Sequence, residues 1–182
     1  IQARLGSTRL PNKILLPLGG KPVLQHVVER AQRSGYPVVV ATRPTDGATL
    51  ATALEGLAQW IRIVAYDEAE GDVLARYARC AEQFPDKSIV VRITADCPCL
   101  DYRLIQRAVK AVEAGHDYAG NTVERCYPRG LDVESFTTEL LQRAHQEATD
   151  PYDREHVTPW MQRHAVNPSA LARTHEDAPG MT

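Results

Sequence analysis

The chain has 182 residues, the length of one ordinary domain, so we expect a single domain over residues 1–182. Apolar residues make up 43% and charged residues 24% of the chain, near the globular average, which excludes collagen-like, coiled-coil and disordered classes. Lys and Arg number 21 against 23 Asp and Glu, a net charge of −2. Duplex-DNA binders usually carry a basic excess, so we expect no nucleic-acid partner.

Neither the apolar runs nor the cysteines suggest a membrane or secreted protein. The longest apolar runs, 14–18 and 38–41, fall well short of the ~20 residues of a membrane span, so we expect no membrane partner. The four cysteines follow neither a disulfide framework nor the spacing of a zinc site. Unpaired thiols are typical of a reducing compartment, which predicts a cytoplasmic location.

Short β-branched runs alternate with amphipathic helical segments along the chain. We expect strands at residues 1–3, 36–42, 61–65, 88–94, 117–120 and 131–136. We expect helices at residues 21–34, 46–59, 72–84, 101–115, 138–148 and 152–164, with Asp46, Asp72 and Asp101 as caps. This alternation predicts an α/β fold with an open, mainly parallel sheet. Residues 167–182 lack periodicity and are expected to form a tail or a truncated end.

Positive charge is concentrated at the start of the chain. The first 28 residues contain no Asp or Glu, and residues 4–13 (RLGSTRLPNK) follow a predicted strand. Such a loop can turn backbone N–H groups toward an anion, and Arg4, Arg9 and Lys13 would then neutralise a triphosphate. A solvated basic loop is the alternative. The segment matches neither a Walker A loop nor a GxGxxG fingerprint.

A carboxylate follows the most apolar predicted strand. Asp96 lies just past the carboxyl end of residues 88–94, where open α/β sheets bind ligands. A hard carboxylate at that place suits Mg²⁺, which takes one or two protein carboxylates plus phosphate oxygens. Alternatively, Asp96 only caps a turn before Pro98.

Two acids at a spacing of two residues lead into a later strand. Asp132 and Glu134 would face the same side of that strand. One of them could then be a second metal ligand or accept a hydrogen bond from a substrate hydroxyl. The commoner alternative is that both face water on an edge strand.

Five segments in matching order carry a family resemblance. They are residues 1–13 (IQARLGSTRLPNK) with 18–22 (LGGKP), 72–77 (DVLARY), 91–98 (VRITADCP), 128–134 (PRGLDVE) and 154–159 (REHVTP). Together they resemble the cytidylyltransferase family, which includes the enzymes that make CMP-Kdo and CMP-sialic acid. Within the family, the chain most resembles the spore-coat polysaccharide biosynthesis cytidylyltransferase-like proteins.

The resemblance implies a fold, an activity and a set of partners. The implied fold is a Rossmann-like nucleotide-diphospho-sugar transferase fold, with helices on both faces of the sheet. The implied activity is Mg²⁺-dependent transfer of CMP from CTP to a sugar acceptor, either a 2-keto sugar acid or a sugar phosphate, in surface polysaccharide biosynthesis. Relatives of this kind are often dimers, so a homodimer is one expectation.

The resemblance also implies roles for individual residues. The implied catalytic residues are Arg9, Lys13 and Asp96. The implied nucleotide-binding residues are Ala3, Arg4, Gly6, Ser7, Lys13, Asp72 and Arg76. The implied acceptor-binding residues are Arg129, Asp132 and Glu134, and the implied metal ligands are Asp96 and Asp132.

The sequence departs from the family in one relevant segment. Members commonly carry a late Asp-rich segment that supplies a second metal ligand, and residues 175–179 (HEDAP) match it poorly. Either that ligand is missing, or Asp132 replaces it, or the site is impaired. Two other functions stay open: a non-catalytic nucleotide-binding module, and a glycosyltransferase that uses a nucleotide sugar. A glycosyltransferase would typically need a DxD-type carboxylate pair, which Asp96 and Asp101 do not form.

Overall fold

The computed structural model describes residues 1–7 and 9–172 of the chain. The helices in this part are α1 (Val23–Gln32), α2 (Pro44–Ala53), α3 (Val73–Ala81), α4 (Tyr102–Glu113), α5 (Thr138–Glu147), α6 (Pro151–His156) and α7 (Pro159–His164). The strands are β1 (Pro17–Leu18), β2 (Lys21–Pro22), β3 (Val38–Thr42), β4 (Ile61–Ala65), β5 (Ile89–Arg92), β6 (Tyr118–Gly120), β7 (Glu134–Thr137) and β8 (Pro168–Ala170). Two 3-10 helices lie at Lys13–Leu15 and Glu55–Trp60.

The first three residues join two groups of strands. β3 and β4 pair in parallel, and β5, β7, β6 and β8 form a second group in that order. Gln2 makes parallel bridges to Ala41 at the end of β3 and to Thr94 just after β5. Ala3 donates its N–H to the carbonyl of Ala41 at 2.9 Å. Residues 1–3 therefore form the short strand expected there, in the middle of the sheet.

The fold is α/β with an open sheet, as expected, and one strand of the sheet is antiparallel to its neighbours. β7 pairs antiparallel to both β5 and β6, whereas β6 and β8 are parallel. A loop rather than a crossover helix connects β6 to β7, and antiparallel neighbours need no crossover. The predicted fold class is confirmed, and β7 makes the sheet mixed rather than uniformly parallel.

Helices cover both faces of the sheet. Successive strand residues alternate between two apolar clusters: Val91 and Ala119 pack in one, and Val90 and Tyr118 in the other. The first cluster contains the buried sides of α1 and α4, and the second contains those of α3, α5 and α7. This two-sided burial explains why the central strands are mostly apolar.

Helix caps were predicted correctly at two of three positions. Asp72 accepts the N–H of Ala75 at 3.0 Å, and Asp101 accepts that of Arg103 at 3.0 Å. Asp46 is not a cap, because α2 begins two residues earlier, at a proline that suits the first helical turn. The Asp46 carboxylate instead accepts the N–H of Leu5 at 3.1 Å and so ties the basic loop to α2.

Three elements differ from the sequence prediction. The helix expected over residues 152–164 is two helices, because the backbone at Val157 adopts a positive φ of 73°. The expected helix start at residue 21 is a hairpin of β1 and β2, whose turn uses positive φ at Gly19 and Gly20. Part of the expected tail is β8, which pairs with β6.

Residues 175–179, the poor match to the Asp-rich segment, lie outside the described residues. None of the helices in the described part is long and apolar enough to span a lipid bilayer.

Candidate active site

Loops from four neighbouring strands converge at one edge of the sheet. Residues 4–12 follow the first strand, Arg43 follows β3, residues 66–72 follow β4, and residues 93–101 follow β5. These strands run parallel, so their carboxyl ends lie together. Open α/β sheets bind ligands at this edge.

The basic loop is a compact turn rather than an extended arm. The carbonyl of Leu5 accepts the N–H groups of Ser7 at 2.8 Å and of Asn12 at 3.1 Å. Asn12 then adopts a left-handed backbone, with φ of 54°, and the 3-10 helix begins at the next residue. Arg9 is exposed in this turn.

The basic loop and the carboxylate after β5 are in direct contact. The ammonium of Lys13 forms an ion pair with Asp96, and the two side chains are 36% and 37% exposed. Burial raises the pKa of Asp96, but the hydrogen bond and charge of Lys13, with a hydrogen bond from Thr94, hold that pKa below its ordinary value. Asp96 is therefore an anion beside the cationic loop at neutral pH.

Asp132 acts electrostatically on the same thiol as Asp96. The pKa of the Cys97 thiol is raised mainly by burial and also by the charges of Asp96 and Asp132, although a hydrogen bond with Thr94 opposes the shift. The fold therefore brings both charges to bear on one sulfur atom, although Asp96 and Asp132 come from different loops.

Two side chains hold the segment that carries Asp132. The amide of Asn121 donates to the carbonyl of Leu131 at 2.8 Å and accepts the N–H of Val133 at 2.9 Å. Arg125 pairs with both oxygens of Asp132, at 3.0 and 3.1 Å. The backbone on both sides of Asp132 is therefore held by the buried Asn121, and its carboxylate is held by Arg125 at the surface.

A second group of charges lies on the β3 and β4 side of the basic loop. Arg4 approaches Glu70 at 3.8 Å and Glu155 at 3.6 Å. Arg43 approaches the other oxygen of Glu70 at 3.2 Å. Gly6 faces Glu70 directly, because a Cβ on Gly6 would lie 2.8 Å from a carboxylate oxygen of Glu70.

The predicted nucleotide-binding residues Asp72 and Arg76 lie beneath this group. Asp72 caps α3 and also pairs with Arg154 at 2.8 Å, so its carboxylate is engaged inside the protein. Arg76 is 1% exposed and donates one N–H to the carbonyl of Ala69 at 3.3 Å. Its Nε and Nη1 are buried without a hydrogen-bond partner among the described residues.

Asp132 and Glu134 have different surroundings. β7 begins at Glu134, so the alternation of a strand does not extend back to Asp132. Glu134 is 2% exposed; Arg92 pairs with it at 2.6 Å, and the hydroxyl of Tyr118 donates to it at 2.6 Å. Burial raises its pKa, but the charge of Arg92 and the bond from Tyr118 hold that pKa below its usual range. Glu134 therefore belongs to an internal network, and its predicted contact with the acceptor stays a prediction.

Two other predicted residues, Ala3 and Arg129, differ in exposure. Ala3 is buried, and its N–H is used by the sheet, as described above. Arg129 is exposed in the loop between β6 and β7. Arg129 and Asp132 lie on the same loop. The contact of Arg129 with the acceptor stays a prediction.

The donor set at the site fits a cation that arrives with a substrate. No group of three or more His, Cys, Asp or Glu side chains that could hold a metal ion occurs in residues 1–7 and 9–172. Asp96 and Asp132 are hard oxygen donors, and Mg²⁺ usually takes only one or two protein carboxylates and completes its shell with phosphate and water oxygens. The Lys13 ammonium already occupies a cation position at Asp96.

An apolar cavity of about 400 Å³ lies elsewhere, between the first halves of β3 and β5. Its lining includes Val38 and Ile89 at the starts of these strands and none of the predicted site residues. The charged cleft, not this cavity, is therefore the candidate active site.

Sequence reasoning missed three charged residues of the cleft. Arg43 immediately follows β3, so the rule that ligands bind at the carboxyl ends of strands would have included it. Glu70 and Arg125 lie in irregular loops whose contacts depend on distant segments, and no local pattern marks them.

The comparisons with known proteins decide the family. A family model described as cytidylyltransferase matches residues 1–179. The chain belongs to the cytidylyltransferase family. It is 40% identical over 119 residues to a 3-deoxy-manno-octulosonate cytidylyltransferase of Methylococcus capsulatus, covering 64% of this chain and 45% of that protein. It is 32% identical over 174 residues to the spore coat polysaccharide biosynthesis protein SpsF of Bacillus subtilis, covering 90% of this chain and 69% of that protein.

A solved cytidylyltransferase shares the fold of this family member. The structure from Leptospira borgpetersenii superimposes with a TM-score of 0.83 at 27% identity, covering 97% of this chain and 76% of that chain. This chain spans about half to two thirds of the length of the first curated relatives that it matches. The resemblance derived from the five sequence segments is confirmed.

Proposed function

We propose that this cytidylyltransferase-family protein moves CMP from CTP to a sugar acceptor and releases pyrophosphate. The observation that supports this most directly is the contact between Lys13 and Asp96, since it joins the cationic loop and the carboxylate in one cleft. A triphosphate and its counter-ion need such a pair of opposite charges at one place.

The reaction would be an in-line displacement at the α-phosphorus of CTP. An acceptor oxygen forms a bond to that phosphorus, while the bond to the bridging oxygen breaks and its electron pair leaves with pyrophosphate. The hydroxyl of a sugar acid would release its proton to solvent, whereas a sugar phosphate is already ionised. Such transfers depend mostly on positioning and on neutralising charge. Arg9 and Lys13 would steady the leaving pyrophosphate, and the turn at Gly6 and Ser7 would face the phosphate chain.

Asp96 and Asp132 are the residues that would hold Mg²⁺. When bound, the ion would supply positive charge that offsets the negative charge of the phosphates. Lys13 would then move its ammonium from Asp96 toward the phosphates. Asn121 and Arg125 would keep Asp132 within reach of the same place.

The names of the relatives support a sugar acceptor. One is named for 3-deoxy-manno-octulosonate and another for spore coat polysaccharide biosynthesis, so we infer a 2-keto sugar acid or a sugar phosphate in surface polysaccharide biosynthesis. Arg129 and Asp132 would contact this acceptor. A cytoplasmic location is supported by four free cysteines. The proposal of a homodimer is based on the family resemblance. Size-exclusion chromatography with light scattering tests it.

The deciding experiment is release of pyrophosphate from CTP with a panel of sugar acids and sugar phosphates, with and without Mg²⁺. We expect release only with CTP, one acceptor class and Mg²⁺ together. Tight binding of CTP without turnover on any acceptor would instead identify a non-catalytic nucleotide-binding module. Hydrolysis or transfer from a nucleotide diphosphate sugar would identify a glycosyltransferase.

A thermal-shift series with CTP, UTP, ATP and GTP tests the choice of base. We expect the largest rise in melting temperature with CTP, and a larger rise with Mg²⁺ than without, because a ligand that binds only the folded state stabilises it. Equal shifts with all four nucleotides would contradict cytosine selection.

A further inference from the structure

We propose that Glu70 is an internal counter-ion that occupies an oxyanion subsite formed by Arg4 and Arg43, beside the buried guanidinium of Arg76, and that a substrate oxyanion displaces it. This inference rests on the proposed function for the identity of the substrate but not for the existence of the subsite. It adds a second anion position, on the opposite side of the basic loop from Lys13 and Asp96.

Glu70 has the geometry of a carboxylate bound between cations. One of its oxygens lies 3.8 Å from Arg4 and the other lies 3.2 Å from Arg43. The two oxygens thus contact two separate guanidinium groups from different strands. The Glu70 side chain is nevertheless 50% exposed, so solvent reaches it and can carry a competing anion to it.

The backbone at Gly6 makes room for an oxyanion. An added Cβ at Gly6 would lie 2.8 Å from Glu70 Oε1 and 3.5 Å from a nitrogen of Arg43. A residue with a side chain would therefore push the carboxylate away. Glycine is the residue that lets a charged group approach the main chain this closely.

Arg76 supplies buried positive charge with two unpartnered nitrogen atoms. It is 1% exposed, and its Nε and Nη1 have no hydrogen-bond partner among the described residues, whereas its Nη2 donates to the carbonyl of Ala69, next to Glu70. Burial, and then the charges of Arg43 and Arg4, lower the pKa of Arg76, and the charges of Asp72 and Glu68 oppose this shift. Buried nitrogen atoms without partners are unfavourable, and an added oxyanion would relieve this.

The other acids near this group are engaged elsewhere. Asp72 pairs with Arg154, Asp46 is tied to the N–H of Leu5 as well as to Arg43, and Glu68 pairs with Arg79. Glu155 reaches only Arg4, at 3.6 Å. Glu70 is therefore the one acid that bridges Arg4 and Arg43 within the described part of the chain.

The position of Glu70 in the chain allows it to leave. It lies in a turn that the N–H of Asp72 closes on the carbonyl of Ala69 at 2.9 Å. Asp72 on one side is fixed by Arg154, and Ala69 on the other accepts from Arg76. Rotation of the Glu70 side chain, or of this turn alone, would open the subsite without moving α3.

The test measures binding of anions to Glu70→Gln, which keeps the shape and removes the charge. The probes are inorganic pyrophosphate, CTP, CMP, cytidine and 3-deoxy-manno-octulosonate, each titrated by calorimetry at low salt. We expect at least a threefold tighter dissociation constant for the anion that uses the subsite and no change for cytidine. The control is Asp67→Asn, an exposed acid in the same loop, which should bind every probe as the parent protein does.

The pattern of gains identifies the source of the oxyanion. A gain for CTP, CMP or pyrophosphate assigns the subsite to the nucleotide, and a gain only for the sugar acid assigns it to the acceptor. Unchanged binding of every anionic probe, or an equal gain in the Asp67→Asn control, overturns the proposal. Adding Arg43→Met to Glu70→Gln should abolish the gain, and melting temperatures of all variants confirm that they are folded.

The counter-ion proposal and the proposed function can fail independently of each other. If no acceptor supports pyrophosphate release, a gain for inorganic pyrophosphate would still support the subsite. If turnover is found and no anion gains affinity, the function stands and the counter-ion proposal fails.

Discussion

Lys13 and Asp96 are 83 residues apart in the chain, and their side chains form an ion pair in the folded protein. Lys13 follows the loop after the first strand, Asp96 lies just past the carboxyl end of β5, and the two strands are neighbours because Gln2 bridges to Thr94. The pair joins the cationic loop to the carboxylate that we assign to Mg²⁺. It therefore makes the proposed chemistry testable at single residues.

Asp96→Asn should lower pyrophosphate release by about 100-fold or more, because the metal ligand and its charge are lost. The fold should be retained, since Asp96 is on the surface of the cleft. Steady-state rates over a range of Mg²⁺ concentrations and a circular dichroism spectrum check both points.

The matched control for that variant is Asp86→Asn, an exposed acid in the loop before β5. It should release pyrophosphate at the parent rate. If Asp96→Asn kept both its rate and its Mg²⁺ dependence, Asp96 would not be a metal ligand.

Arg9→Ala should weaken CTP binding by about tenfold, the usual effect of losing a hydrogen bond to a charged group. CMP binding should change much less, because Arg9 is expected to contact the pyrophosphate portion. Calorimetric titration with both nucleotides measures the difference. Arg33→Ala, an exposed cation at the end of α1, is the control. Equal losses for CTP and CMP would assign Arg9 a structural role.

Glu134→Gln should lower the free energy of unfolding by about 3 kcal/mol, because Arg92 would lose the partner of a buried ion pair. Urea denaturation measures this change. The control Glu82→Gln removes an exposed pair with Arg79 and should cost no more than about 1 kcal/mol. If the two variants were equally stable, the internal network around Glu134 would not stabilise the fold.

Asn121→Ala should raise the Mg²⁺ concentration needed for half-maximal turnover while leaving CTP affinity unchanged. The reason is that Asn121 fixes the backbone on both sides of Asp132 and does not touch the basic loop. Turnover as a function of Mg²⁺, with calorimetric CTP binding beside it, separates the two effects. An unchanged Mg²⁺ requirement would argue that Asp132 is not a ligand or that its loop needs no tether.

Local patterns in the sequence were enough for the order and type of most elements. The strand Ile61–Ala65 and the caps Asp72 and Asp101 depend on near neighbours, and the structure agrees with each of them. The break at Val157 was missed because a positive φ at a β-branched residue arises from packing rather than from local preference.

The family resemblance, and with it the cationic loop and Asp96, could also be derived from the sequence alone, since these depend on residue types at short spacing. The fold alone decided which charges meet. The contacts of Lys13 with Asp96, of Arg92 with Glu134, and of Glu70 with Arg4 and Arg43 join segments far apart in the chain. Such contacts depend on strand order and loop course, because electrostatic pairing acts over a few ångströms in space and not along the sequence.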